Sequence, residues 1–416
     1  MGTDSLELDP ADKALAVLLS TESGRQDPYP SYSTLRAKPG IHRSAMGSLV
    51  ATRYHECEAI LKDRRFGHAP SDSRADFTSD EQYETFRRRF PRIAERAPVM
   101  LNLNPPEHSR LRGLVSKAFT PRVVENLRPR IASIVDQLLA DIPEQFDVVS
   151  DLGVQLPALV ISELLGLPRD GHDYVIPHVR RIIQAFDTPL PRSQNLDEVY
   201  KATELVEEYF ESVIRSKRAS PTEDLISNLV AVRDTQGRLS EAELISTLLL
   251  LFVAGYESST NLISNGFYAL LTHPDSIPPL QRNQDTIALA VQEMLRWEAP
   301  VQLVGRIALE DAEISGEIIR RGEQVLLFLG AANRDPARFR DPDLFLITRD
   351  EGAPLSFSTG IHYCLGAPLA HLEAQILFEA LLPRWSTFEP EPTPVRFRSN
   401  LVLRGVASLG MSIRTA

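Results

Sequence analysis

The stretch FSTGIHYCLG, residues 357–366, holds one of only two cysteines in a chain of 416 residues. Cys364 sits between Tyr363 and Leu365, with Gly360 and Gly366 on either side and His362 two residues before it. The segment from Cys364 to Leu382 reads as a helix that stops at Pro383. The thiol therefore lies at a helix start, where backbone N–H groups and the helix dipole favour a thiolate. The glycines let the backbone turn tightly and approach something flat or bulky, and His362 can donate a hydrogen bond or a charge to an anion. A lone cysteine is ordinarily a small buried hydrophobe. A zinc site lacks a second cysteine nearby, because Cys57 stands alone, and no arrangement here pairs the thiol with a catalytic base. A thiolate serving as axial ligand to haem iron needs only one protein sulfur, and fits better than either.

Composition narrows the classes. Hydrophobic residues make up 43% and charged residues 24%, ordinary for a soluble globular protein. A net charge of −11 argues against a nucleic-acid binder. Two cysteines cannot make a disulfide scaffold, which points to the reducing cytoplasm. No signal peptide is indicated at the N-terminus, and the apolar run LISTLLLLFVAG, 244–255, is shorter than the ~20 residues of a membrane span. No repeat or linker-like stretch appears, and by length alone the 416 residues could form one large domain or two to three small ones.

The chain is mainly helical with small β elements. GSLVATRY (47–54) is β-like, and residues 64–98 read as a long loop with one short helix at most. Leu127, Ile131, Ile134 and Leu138 step by four, three and four along one helix face. Residues 154–166, 173–186 and 197–217 look helical, with 181–200 a connection. Ser240 with Glu243 forms a capping box that opens a long helix over 240–271, and 285–297 is another helix. Thereafter DAEISGEIIRRGEQVLLFLG carries turn glycines at 316 and 322, and the tail LVLRGVASLGMSIR is again hairpin-like.

FSTGIHYCLGAPLAHLEA resembles the haem-binding loop and following helix of the cytochrome P-450 family, pattern F-G-x-G-x-[HR]-x-C-x-G, at Phe357, Gly360, His362, Cys364 and Gly366. Other stretches follow the family's order. EMLR at 293–296 fits its E-x-x-R helix, ANRDPARFRDPDLF (332–345) its meander, and AGYESST (254–260) its oxygen-activation motif. PPEHSRLRGLVSKAFTPR (105–122) is similar to an early helix of its soluble bacterial members. The resemblance implies haem b lying between the long central helix and the cysteine-loop helix, with Cys364 on the iron. It implies that His108, Arg112, Arg306 and His362 contact the haem propionates, whose buried charge needs cationic or donor groups. Glu293 and Arg296 then belong to a buried network behind the haem, joined by Arg338 or a neighbour in the meander.

On the long helix, Ala254, Gly255 and Ser258 fall on one face, leaving room for dioxygen and substrate, and Glu257 beside Ser258 supplies an acid and an alcohol for passing protons inward. The alternative is a small-residue helix crossing whose serines bond back to the i−4 carbonyl. Three positions depart from the family: Ser258 where threonine is usual, Ser358 where glycine is usual, and His371 where arginine is common.

The resemblance places substrate near the loop 67–100, residues 170–200, the helix at 247–258, residues 300–305 and the turn 401–404. Val301, Leu303, Val304, Leu401 and Val402 are apolar, suiting a hydrophobic small molecule, here expected to be a secondary metabolite. Hydroxylation is the first expectation and epoxidation the second. No flavin or nicotinamide fingerprint is apparent, so electrons must come from elsewhere, and the resemblance implies that they come ultimately from NAD(P)H through a ferredoxin and its reductase. Arg110, Arg112 and Lys117 form a local basic patch for the acidic ferredoxin. A non-catalytic haem-thiolate sensor and a peroxide-using oxygenase are the rivals, and the Glu257–Ser258 pair argues against both.

Overall fold

Ser240 closes the start of the helix Glu241–Thr272 reciprocally: its Oγ accepts from the Glu243 N–H at 3.1 Å, and the Glu243 carboxylate accepts from the Ser240 N–H at 2.8 Å. The expected capping box is thus in place on the element around which the chain is organised. The structure, a computed structural model, describes residues 9–69, 79–184, 196–236 and 239–414. Helices Gln155–Leu165, Leu196–Ala219, Ile287–Trp297 and Ala367–Leu381 pack on the long helix. Together they enclose the main apolar core, which includes Leu248, Phe252, Phe267, Val291 and Leu377.

A five-stranded sheet flanks this bundle, ordered His42–Arg43, Leu49–Ala51, Gln324–Phe328, Leu303–Ala308, Phe66–Gly67. Leu49 pairs in parallel with Val325, while Arg306 faces Val325 and Gly67 faces Ile307 in antiparallel register. The turn between Ala312–Ile314 and Glu317–Ile319 has positive φ at both Ser315 (48°) and Gly316 (83°), the backbone that a tight hairpin needs.

Several expectations are corrected. Within 64–98 the chain forms the helix Asp80–Arg89 and a short one at Pro91–Ala94; residues 70–78 lie outside the described residues. The aromatic trio Phe86, Phe90 and Tyr200, with Arg92 paired to Glu211 at 2.5 Å, holds this polar segment on the helix Leu196–Ala219. The stripe of Arg128–Ala140 does face the core as expected, Ile131 and Ile134 buried and Leu127 and Leu138 packed partly buried against it, with Val135 and Leu139 widening it. The helix after the cysteine runs Ala367–Leu381, and Pro383 falls inside a 3-10 turn that continues it. The tail strands do not pair with each other: Val406–Ser408 pairs with Arg396–Phe397, and Gly410–Ile413 lies between Gln145–Asp147 and Phe388–Pro390. Two described helical stretches, Val148–Leu165 and Glu241–Thr272, are long and apolar enough to cross a membrane by length and composition. They are 72% and 67% buried inside the protein, as core helices are.

Candidate active site

The cysteine loop folds back on itself, the Cys364 N–H donating to the Phe357 carbonyl at 2.9 Å. Burial pushes the Cys364 thiol up, while the N–H groups of Gly366 and Ala367 and the charge of Arg112 oppose that shift. The helix N-terminus thus points at the sulfur although its first residue is Ala367. A metal cation at the sulfur removes the remaining penalty, because a coordinating thiol is deprotonated outright. The two glycines differ in their reasons. Gly360 has φ +71°, and a Cβ there would meet the Leu61 carbonyl at 2.3 Å, so it serves the crossing with the helix Tyr54–Lys62 rather than a cofactor. Beside Gly366 nothing lies within 4 Å of where a Cβ would stand.

Ser358 takes φ 59° and ψ −164°, a region otherwise kept for glycine, and its buried Oγ has no partner. Such a conformation costs a side chain on the order of 1–3 kcal/mol. Ser358→Gly is therefore expected to raise stability by about 1 kcal/mol, net of the entropy glycine adds to the unfolded chain. Ser358→Ala, which keeps the strained Cβ but removes the unpartnered hydroxyl, should recover only that second part and gain less than Ser358→Gly. Calorimetric melting of the two variants checks this, and an unchanged Ser358→Gly contradicts it.

At the loop's edge three imidazoles and two guanidiniums converge. The His362 ring lies 4.3 Å from that of His108 and 4.7 Å from that of His68. His108 Nδ1, His362 Nε2 and His68 Nε2 are buried without hydrogen-bond partners. Burial first, then the charge of Arg306, lowers His362 to about 3 and His68 to about 4. Arg306 is itself 6% exposed, hydrogen-bonds the Gly305 carbonyl at 2.8 Å and is brought down to about 10 by desolvation. Arg112 is half-buried and donates to the Tyr363 carbonyl at 2.6 Å. A buried donor left unpaired costs about 1–3 kcal/mol, so a cluster of them is a site made for an anion. The four residues expected at the propionates are brought together, and His68, for which the sequence carried no signal, joins them.

Along the middle of the long helix the accessible side chains Leu250, Val253, Ala254 and Ser258 fall on one face, which Glu257 shares while buried, and Leu251, Phe252 and Tyr256 are buried as well. Gly255 turns to the flank, where a Cβ would pack on Ile161 at 3.4 Å. A Cβ at that distance makes ordinary contact, so Ile161 does not by itself require a glycine there. Ser258 Oγ donates to the Ala254 carbonyl at 2.8 Å, the i−4 bond of the alternative reading. The bond uses the hydroxyl proton and leaves the oxygen's lone pairs to accept. Glu257 is 5% exposed and forms an ion pair with Arg398, a residue the sequence did not single out.

Glu293 and Arg296 are 1% and 2% exposed and joined by two hydrogen bonds, at 2.7 and 2.8 Å. Arg296 also donates to the carbonyls of Asn333, Pro342 and Leu344. The third charged member is Arg349, 3.1 Å from Glu293 and beyond the meander. Arg338 instead lies over the rings of Tyr54 and Phe339.

The apolar candidates separate by strand parity. In Leu303–Ala308, Val304 shares a face with Arg306. Leu303 points the other way and is 7% exposed in a core with Leu15, Leu18 and Tyr32. Leu401 belongs to that same core, so Leu303 and Leu401 pack the interior, whereas Val402 is half-buried at its edge as Val301 and Val304 are at the edge of a second core. Val301 is half-buried and bridges Leu403, which is half-buried too.

A flat dianionic cofactor with a metal at its centre answers the sulfur loop, the anion corner and the open helix face at once. That places the protein among the haem-thiolate oxygenases. A family model described as Cytochrome P450 matches residues 170–289 and 287–407. The "Biotin biosynthesis cytochrome P450" of Bacillus subtilis (strain 168) is 37% identical over 406 residues, covering 95% of this chain and 99% of that protein. "Cytochrome P450 monooxygenase PikC" of Streptomyces venezuelae is 38% identical over 92% of this chain and 90% of its own. The crystal structure of P450BioI in complex with an acyl carrier protein ligated to hexadec-9Z-enoic acid superposes with TM-score 0.84 at 36% identity, covering 94% and 99% of the two chains. The chain belongs to the cytochrome P450 family. It is an oxidoreductase of the monooxygenase class that uses haem b, O2 and electrons derived from NAD(P)H.

Proposed function

We propose that the whole chain, 1–416, is a single cytoplasmic haem domain that inserts one oxygen atom from O2 into a hydrophobic secondary metabolite, served by a ferredoxin and its reductase. The observation that carries this reading is the open face of the long helix, Leu250, Val253, Ala254 and Ser258, apolar except for a single hydroxyl. When bound, the haem supplies an iron at which O2 is cleaved with two electrons and two protons, one oxygen atom going to substrate and the other to water. Cys364 provides the thiolate, and His108, Arg112, Arg306 and His362 hold the propionates. Phe357 and Gly366 shape the loop around the sulfur. Glu257 takes protons from the solvent side, where Arg398 is 26% exposed, and Ser258 Oγ accepts and passes them on. Val301 and Val304 stand where an apolar substrate meets the site, with Leu403 added to them.

Two relatives support the substrate class: "Mycinamicin IV hydroxylase/epoxidase" of Micromonospora griseorubida and "Polyketide biosynthesis cytochrome P450 PksS" of Bacillus subtilis, 38% and 35% identical to this chain. Hydroxylation comes before epoxidation because one oxidant serves both and the nearest substrate bond decides. On the ferredoxin side the patch is narrower than its sequence suggests. Arg110 pairs with Glu243 and Arg112 turns in to Tyr363, leaving Lys117 as the outward charge. Incubation with ferredoxin, reductase and NAD(P)H across a library of polyketides and terpenoids tests the reading. Product that requires NAD(P)H supports it. Product formed only with peroxide, or ligand-induced spectral shifts without any product, overturns it.

A further inference from the structure

The anion corner holds one group more than the family's motifs account for. His68 follows the strand Phe66–Gly67, whose Gly67 pairs with Ile307 beside Arg306. Asn104 clamps its backbone from both directions: Nδ2 donates to the His68 carbonyl at 2.8 Å, and Oδ1 accepts from the His68 N–H at 2.9 Å. The clamp has a fitted seat, since a Cβ on Gly67 would stand 2.3 Å from Asn104 Oδ1. With its backbone fixed in this way, the His68 ring stands edge-on to His362, interplanar angle 81°.

The corner selects the sign of its ligand. Arg306 and Arg112 bring positive charge to the three imidazoles, which disfavours a cation. Among the described residues no cluster of histidine, cysteine or carboxylate side chains could hold a metal. An imidazole N–H aimed at a buried carboxylate makes a charge-assisted hydrogen bond, and the required tautomer is open to a ring that makes no other bond. We propose that His68 is a further haem-propionate ligand, so that three imidazoles and two guanidiniums share the two carboxylates. This rests on the propionate assignment of His108, Arg112, Arg306 and His362.

The test is the rate at which the ferric holoprotein gives up haem to an excess of a haem-scavenging apomyoglobin, for the wild type, His68→Phe, His68→Gln and Arg306→Gln. The loss of a hydrogen bond to a charged group predicts release about tenfold faster for His68→Phe, with His68→Gln, which keeps a donor, close to wild type. Reconstitution with the dimethyl ester of haem b, which has no carboxylates, should reduce the ratio of His68→Phe to wild type to about one. A His68→Phe rate equal to wild type while Arg306→Gln is faster overturns the role of His68 and leaves the propionate site standing. Equal rates for all four proteins overturn the propionate site itself. Faster release from His68→Phe by the same factor with the ester shows a packing effect and also overturns the proposal. Matching melting curves of the apoproteins keep loss of fold apart from loss of contact.

Discussion

Replacing Arg296 by methionine is expected to leave little protein that folds and holds its haem. The guanidinium is 2% exposed, meets both oxygens of Glu293 and donates to three backbone carbonyls of the segment 333–344. Methionine matches its bulk but removes all five bonds at once. Breaking one side of a buried ion pair costs about 3–5 kcal/mol, against a net stability of roughly 5–15 kcal/mol for a whole domain. Arg349 still neutralises part of the Glu293 charge at 3.1 Å and donates to the Leu344 carbonyl at 3.3 Å, but the carbonyls of Asn333 and Pro342 lose the donor that Arg296 gives them. Arg296→Lys fares little better, because an ammonium cannot fork between a carboxylate and three carbonyls. The ratio of haem to protein absorbance and the midpoint of urea unfolding measure the loss. A variant with wild-type values for both contradicts the role given to this network.

The second large effect is on turnover. Glu257→Gln keeps the shape of the side chain but cannot carry a proton, and its pairing with Arg398 becomes a weaker neutral contact. Losing a positioned acid or base typically costs 10²–10⁴-fold, so kcat should fall by about 100-fold while the spectral shift on substrate binding is unchanged. Ser258→Ala acts differently. In the proposed relay it removes the oxygen that accepts the proton, so less product should form per NAD(P)H consumed, with a smaller fall in total NAD(P)H use. Ser258→Thr restores the branched side chain that restricts the rotamer and is expected to match or improve on wild-type coupling. If Glu257→Gln and Ser258→Ala leave both kcat and the product ratio unchanged, the pair has no part in proton delivery.

What could be read from the sequence, and what could not, follows from how far apart the interacting residues lie. The capping box at Ser240 and the Glu293–Arg296 pair each span three residues, and a helix brings such positions together whatever surrounds it. The cysteine loop is a local structure for the same reason. Arg349 lies 56 residues from Glu293 and Arg398 lies 141 from Glu257, so only the folded chain could assign those partners. His68 reaches the cluster of His108 and His362 by way of a strand of two residues, too short for any periodic signal. Leu303 and Val304 show a different limit. Both are apolar and adjacent, and only the position of Arg306 on the same strand decides which of them faces the site. Gly360 and Gly366 looked alike in the motif, yet one answers to Leu61 and the other to open space. Ser358 was visible as a departure from the family pattern, but its φ of 59° is what turns that departure into strain.

The central claim is that the sulfur of Cys364 binds the haem iron, and the carbon-monoxide difference spectrum of the reduced protein tests it most directly. The wild type should show the long-wavelength Soret band that a thiolate ligand produces. Cys364→Ser should keep haem, through the untouched propionate corner, and lose that band. A wild-type spectrum without the thiolate band, or a Cys364→Ser spectrum that retains it, would contradict the account.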